Sequence, residues 1–263
     1  MVKVNVYAFC FNEERFLPFF LRHYEQFCQR IIVFDNGSTD RSIEIVTSHP
    51  KGEVVRFDTL GRVREDTFNE IRNHAWKKDR WSVDFMVAVV DLDEFIWHPD
   101  MPGLLERAKA TGTSLPRVNG YTMCHPFFPD PHDDPRPLTE IVGNGSYDAC
   151  YNKRVLFDPK KIREINFSVG AHYQSPTGEV VPPNNNPPGE DGIHAPWREE
   201  DPEAPLKLLH YRNFGFDEFR ERAIRFRPRS SPGSYYGKQF DLTEEDWNRE
   251  WNKPESKVVR VVS

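Results

Sequence analysis

Residues 85–97 read FMVAVVDLDEFIW. Everything before Asp91 is apolar, with no polar residue in alternation. A strand written this way is covered on both faces, as a central strand of a parallel sheet is. The upstream segments supply its partners. REDTFNEIRNHAWKKD (64–79) predicts a helix with Phe68, Ile71 and Ala75 on one face. EVVRF (53–57) predicts a short strand before it. STDRSIEIVTSH (38–49) predicts a helix, with Ser38 and Thr39 as cap candidates and Asp40 near its positive end. RIIVFDNG (30–37) is a second strand ending in turn residues. NEERFLPFFLRHYEQF (12–27) places Phe16, Phe19, Phe20, His23 and Phe27 near helical spacing, with Pro18 early enough for a helix to tolerate it. The first strand runs from Val2 through YAFCF. MPGLLERAKA (101–110) is a short helix after the central strand.

Strand and helix thus alternate four times, which predicts an α/β fold with a central, mainly parallel sheet flanked by helices. After residue 111 the rhythm stops. Residues 116–138 carry six prolines, and 176–205 are rich in Pro, Asn and Gly, which predicts long loops there. YNKRVLFDP (151–159) reads as a strand and turn, PLKLLHYRNF (205–214) as a strand, and FDEFRERAIRF (216–226) as a helix. One catalytic unit over 1–263 is expected, with 1–110 as its ligand-binding half and 111–263 supplying loops around it.

Composition narrows the function classes. The chain has 263 residues and 41 acids against 35 bases, a net charge of −6 that argues against a general nucleic-acid binder. Thirty-five aromatic residues (20 Phe, 9 Tyr, 6 Trp) exclude a wholly disordered chain. No run approaches the ~18 apolar residues of a membrane span. The start, MVKVNVYAFCFNEER, lacks the shape of a signal peptide. Cys10, Cys28, Cys124 and Cys150 are widely spaced, which reads as reduced thiols of a cytoplasmic protein.

Ligands of parallel α/β sheets sit at the carboxyl ends of the strands. The polar residues there are Asn12, Glu13, Asp35, Asn36, Asp91 and Asp93. Strand alternation sends Asp91 and Asp93 to one face. Two such carboxylates repel unless a cation lies between them, and their hard oxygens suit Mg²⁺ or Mn²⁺ with bound phosphates. A solvated acidic strand end is the bland alternative. His210, after the apolar strand LLHY, reads as a further metal ligand or as a packed core histidine. Asp35-Asn36-Gly37-Ser38-Thr39-Asp40 fits an anion-binding helix start, with Asp35 accepting a base N–H, or a plain Asx turn.

Taken together, CFNEERFLPFFLRHYEQFCQRIIVFDNGSTDRS (10–42), IRNHAW (71–76), VVDLDEFIWHP (89–99) and LLHYRN (208–213) resemble the family 2-like glycosyltransferases of the GT-A fold. The subgroup most similar has N-E near the start, H-Y before the second strand, D-N-x-S-x-D after it, and D-x-D-E-F. The resemblance implies transfer of a sugar from a nucleotide diphosphate sugar to a hydroxyl of a glycan, lipid-linked or other acceptor, in surface polysaccharide or glycoconjugate synthesis. It implies that Phe11, Asn12 and Glu13 line the base and ribose, that Asp35 contacts the base, and that Arg72 meets base or phosphate. Asp91 is implied at ribose and metal, with Asp93 and His210 as metal ligands. Mn²⁺ or Mg²⁺ would then stabilise the departing diphosphate as a Lewis acid. UDP is the expected nucleotide, because Asp35 can accept from uracil N–H.

An inverting enzyme needs a carboxylate base. Its familiar local signature is absent, which leaves Asp148, Glu190 and Asp191, of which Asp191 is favoured from its Gly/Pro loop; a retaining mechanism stays open. Asn184–Asn186 suggest a loop that orders on donor binding. His125, His132, Asp133 and Asp134 form either a second metal cluster or a polar loop. His172 faces the acceptor or the pyrophosphate, or else is a plain strand-end histidine. Arg220, Arg222, Arg225, Arg227 and Arg229 offer a basic stripe to an anionic acceptor or to the inner face of a membrane, or else a solvated helix face. Two other classes compete. A sugar nucleotidyltransferase would carry a Gly-rich basic loop where CFNEERF stands, and a dehydrogenase would carry G-x-G-x-x-G. A non-catalytic nucleotide- or sugar-binding relative would have no reason to keep Asp91 and Asp93 together.

Overall fold

The computed structural model describes residues 2–82, 84, 86–116, 118–180, 206–230, 243–246 and 258–262. Its first sheet holds β1 (Val4–Cys10), β2 (Cys28–Asp35), β3 (Gly52–Arg56) and β4 (Met86–Asp91), in the order β3-β2-β1-β4 and all parallel. Between them run α1 (Leu17–Tyr24), α2 (Ser42–Ser48) and α3 (Glu65–His74), followed by a 3₁₀ turn over Ala75–Asp79. The α/β alternation read from the sequence is therefore the architecture of this half.

Both faces of the inner part of this sheet are dry. On one face, Val4, Val6, Ala8, Ile31, Val33, Ala88 and Val90 pack under α1 and against the second sheet. On the other, Tyr7, Ile32, Phe34, Val87 and Val89 pack against Trp76 and the α3 side. Burying each such side chain contributes roughly 1.5–3 kcal/mol, which is why these strands need no polar alternation.

The central apolar run behaves differently from its reading. It is two strands, not one. β4 stops at Asp91, and β5 (Glu94–Trp97) belongs to the second sheet. That sheet also contains β6 (Asn119–Cys124), β7 (Asn144–Tyr147), β11 (Lys207–Asn213) and β12 (Val259–Arg260), in the order β12-β7-β6-β11-β5. α4 (Met101–Thr111) joins β5 to β6, and α5 (Leu138–Ile141) precedes β7. β8 (Leu156–Phe157) adds an antiparallel edge to β4, while β9 (Ile162–Glu164) and β10 (Thr177–Gly178) form a separate ribbon. α6 (Phe216–Phe226) follows β11 with the limits its sequence predicts.

Two helix starts differ from expectation. α1 begins only at Leu17, because Glu13 C=O takes the amides of both Phe16 and Leu17 at 3.0 Å and turns the chain there. α2 begins at Ser42, beyond Ser38 and Thr39, and its first amide is taken by Asp40 Oδ1 at 2.9 Å. Among the described residues no helix is long and apolar enough to cross a membrane. No disulfide joins any of the four cysteines.

Candidate active site at the strand ends

Parallel register sets the site. Cys10 at the end of β1 lies opposite Asp35 of β2, and Phe9 lies opposite Asp91 of β4. Asp35 and Asp91 therefore flank the carboxyl end of β1, and the chain beyond β1 passes between them.

The turn from β4 to β5 is fixed through its backbone groups by a side chain of its own and by β11 and α1. Glu94 Oε2 accepts the Asp91 amide at 3.1 Å, and Asp93 C=O accepts the Tyr211 amide at 2.7 Å. Tyr24 OH donates to Glu94 C=O at 2.8 Å and accepts from the Ile96 amide at 3.0 Å. His23 Nε2 lies 2.9 Å from Ile96 C=O. The His23-Tyr24 pair of α1 is thus a buried strut beneath the acidic turn. With Leu92 buried in the core, Asp91 and Asp93 leave the turn toward different partners instead of sharing one strand face.

Each acid has its own cation. Arg72 Nη2 donates to Asp91 Oδ1 at 3.0 Å, and the guanidinium sits 4.8 Å from the centre of the Phe9 ring. Burial pushes the Asp91 carboxyl up, but Arg72 and Lys153 outweigh it and hold it below its ordinary range. Asp93 Oδ2 accepts from Arg222 Nη1 at 2.7 Å, with His210 Nε2 3.5 Å away. Burial is again opposed, by Arg222 first and His210 next, and Asp93 ends well below the usual carboxylate value.

His210 is buried against Tyr151, ring centroids 4.0 Å apart and stacked at 28°. Its Nδ1 has no hydrogen-bond partner among the described residues. Burial pushes its pKa down, only partly offset by Asp93. A neutral imidazole beside an ionised carboxylate is the protonation state in which both can ligate a divalent cation. Asp93 and His210 therefore fit a metal. Asp91, engaged with Arg72, is not gathered with them, and among the described residues no three His, Cys, Asp or Glu side chains form a metal cluster.

Beneath the acids lies a pair that the sequence reading did not assign. Lys153 Nζ is 2.5 Å from Glu94 Oε1, and each side chain is only 2% exposed. Lys153 also donates to Gly170 C=O at 2.8 Å. Burial pushes Glu94 up to about 7; Lys153 opposes that, while Asp91 and Asp93 add to it.

At the other side of β1, Asp35 accepts the amides of Gly37 at 3.2 Å and Ser38 at 3.2 Å. Gly37 has φ +82°, the left-handed conformation such a turn favours in glycine. Asn12 Oδ1 accepts the Thr39 amide at 2.7 Å, and Ser38 Oγ accepts the Asn12 amide at 2.9 Å, so the β1 and β2 loops brace each other. Phe11 lies under the Arg229 guanidinium, 3.6 Å from its centroid, and Arg229 Nη2 donates to Asn36 C=O at 3.3 Å. Glu13 is buried, 3.5 Å from Arg225 Nη2; burial raises its pKa against the pull of Arg225 and Arg222.

The arginine stripe of α6 and the 3₁₀ turn after it (Arg227–Arg229) is therefore largely turned inward. Arg222, Arg225 and Arg229 meet Asp93, Glu13 and Phe11, and only Arg220 and Arg227 of the set are exposed. The reading of this stripe as a membrane-facing surface is corrected accordingly. The reason is helix phase: Phe219 and Ala223 are the buried anchors, and Arg222, three residues after Phe219, flanks that buried face.

Other sequence candidates have partners of their own. Asp148 is spent on the Cys150 amide at 3.2 Å and on Thr122 Oγ1 at 3.1 Å. His172 Nδ1 lies 3.0 Å from Cys150 C=O. Asp134 pairs with Arg136 at 2.6 Å, while His125 Nδ1 lies 2.7 Å from Phe127 C=O. Asn184–Asn186, Glu190 and Asp191 lie outside the described residues.

No protein-family model matches the chain, and no curated protein matches it in sequence. Solved structures do. The chain is similar to glucosyl-3-phosphoglycerate synthase from Mycobacterium tuberculosis, solved with Mn²⁺, UDP and glucosyl-3-phosphoglycerate, at 20% identity over 46% of this chain and 44% of that one, TM-score 0.30. It thus spans under half of that synthase. It is also similar to S. aureus TarS (residues 1–349), at 11% identity over 97% of this chain and 73% of that one, TM-score 0.39.

Proposed function

We propose that the chain is a metal-dependent glycosyltransferase of GT-A type, which moves a sugar from a nucleotide diphosphate sugar, with UDP as the favoured nucleotide, to an acceptor hydroxyl. The observation that carries this reading is the placement of Asp35 at the end of β2 and of the Asp93–His210 pair just beyond β4, with Arg222 and Arg225 of α6 and Arg229 of the turn after it reaching Asp93, Glu13 and Phe11. An acceptor-only carboxylate at one end suits a base N–H. A carboxylate–imidazole pair at the other suits Mn²⁺ or Mg²⁺. Between them the arginines supply donors for phosphate oxygens.

In this reading Asp35 orients the base and Phe11 offers it an aromatic face. Asp93 and His210 hold the metal, which when bound neutralises the charge that develops on the departing diphosphate. Arg72 keeps Asp91 ionised, so that this acid can accept from a ribose hydroxyl. Lys153 and Glu94 hold the acidic turn from below. Asp191 is the proposed base of an inverting reaction with a glycan or lipid-linked acceptor, and surface polysaccharide or glycoconjugate synthesis in the cytoplasm is the proposed setting.

The test is release of nucleotide diphosphate from a panel of UDP-, GDP- and dTDP-sugars and release of CMP from a CMP-sugar, each with Mn²⁺ or with EDTA. Metal-dependent release from one nucleotide class, lost in Asp93→Asn, supports the reading. Equal release by that variant sinks the metal assignment.

A further inference from the structure

One oxygen carries two contacts. Asp93 Oδ2 accepts from Arg222 Nη1 at 2.7 Å and faces His210 Nε2 at 3.5 Å. The oxygen turned toward the imidazole is the one that a cation shared with His210 would take. The guanidinium and a divalent cation therefore compete for the same atom. Asp93 is only 6% exposed, so in the absence of a metal it needs a counter-ion at hand.

Arg222 does not act alone. Arg225 reaches Glu13 at 3.5 Å, and Arg229 covers Phe11 at 3.6 Å. The three follow a helical stripe, and each lies on a residue of the donor site described above. Arg15 ties the same helix to the β1 loop through Glu218 at 2.6 Å.

We propose that Arg222 is the resident counter-ion of Asp93 in the cation-free protein, and that it yields this oxygen to the divalent cation and turns to the donor's diphosphate. This rests on the reading of the strand ends as a metal and nucleotide-diphosphate site, and it adds a device to that site. The exchange makes metal and diphosphate bind cooperatively: the metal displaces Arg222, and the displaced fork finds phosphate oxygens that it can grip in pairs. Neither ligand alone is well served, since metal alone must displace Arg222 from Asp93 and diphosphate alone meets Arg222 still bound to it. Such coupling is reciprocal in its free energies.

The test is titration of the full chain with Mn²⁺ alone, followed by the loss of the free-ion paramagnetic resonance signal, and then calorimetry with UDP at saturating Mn²⁺. Wild type, Arg222→Gln and Arg222→Lys are compared, each first shown to unfold cooperatively on heating. Arg222→Gln should take up nucleotide-free Mn²⁺ about tenfold more tightly, the factor that one ion-pair contact of ~1.4 kcal/mol represents. It should bind UDP roughly tenfold more weakly by the same conversion. Arg222→Lys, a point charge without the fork, should fall between. If wild type binds Mn²⁺ with UDP and Arg222→Gln leaves the nucleotide-free Mn²⁺ affinity unchanged or weaker, the exchange is refuted while the site reading stands. If wild type binds neither Mn²⁺ nor Mn²⁺ with UDP, the site reading fails and takes the exchange with it.

Discussion

Replacing Lys153 by methionine keeps most of the volume and removes the ammonium that touches Glu94. The two side chains are each 2% exposed and 2.5 Å apart. Breaking a buried pair from one side typically costs about 3–5 kcal/mol, because the remaining charge stays buried without compensation. Here the cost should depend on pH. Burial pushes Glu94 from 4.5 up to about 7, even with Lys153 opposing the shift. A carboxyl whose folded pKa is raised gives stability that is full below its unfolded value and lost as pH rises through the folded one. At pH 5.5 Glu94 holds its proton in the folded protein, so Lys153→Met should lose about 1–2 kcal/mol, chiefly the hydrogen bond to Gly170 C=O. At pH 8.5 the acid must be either buried as an anion or held protonated against the solvent, and the full 3–5 kcal/mol should appear. Urea unfolding read by tryptophan fluorescence, with Trp76 fully buried as the reporter, measures both. The double variant Glu94→Gln/Lys153→Met should regain most of the alkaline loss. Equal losses at the two pH values, or a double variant no more stable than the single, would refute the reasoning.

Three further outcomes follow from the geometry. Tyr24→Phe removes the hydroxyl that bridges Glu94 C=O and the Ile96 amide, so the melting temperature should fall by an amount equivalent to about 1–3 kcal/mol, with weaker nucleotide binding as the acidic turn loosens. Gly120→Ala would place a Cβ 2.3 Å from the Tyr151 carbonyl carbon; overpacking of this kind costs roughly 1–3 kcal/mol, and calorimetry should also show weaker Mn²⁺ binding as Tyr151 shifts against His210. Asp35→Ala should lower UDP affinity about tenfold or more, the loss of one charged hydrogen bond, and should cut discrimination between UDP and CMP; unchanged discrimination would remove Asp35 from the base site.

The first half of the fold was legible because its inner strands are dry on both faces and its helices carry one apolar stripe each. The turn between Asp91 and Glu94 was not. Leu92 and Phe95 are as buried as the strand before them, so the apolar run gives no punctuation where the chain changes sheets, and no Gly or Pro marks the place. Asp91 and Asp93 could be singled out from sequence, but their separate partners could not, since Arg72, His210 and Arg222 arrive from three distant elements. The α6 arginines were visible as a stripe with the wrong direction. The signal that settles it was present: Arg222 flanks the face of Phe219, Ala223 and Phe226, and that face packs inward. Lys153 carried no such signal, because one lysine in YNKRV looks like any solvated base until the fold closes over it.

The central claim is that Asp93 and His210 hold a divalent cation that makes nucleotide diphosphate bind at the strand ends. Calorimetric titration of UDP into wild type and Asp93→Asn, each with Mn²⁺ and with EDTA, tests it most directly. The account predicts binding by wild type only when Mn²⁺ is present, and none by Asp93→Asn with or without the metal. UDP binding that is equally tight in EDTA, or that survives Asp93→Asn unchanged in Mn²⁺, would contradict it.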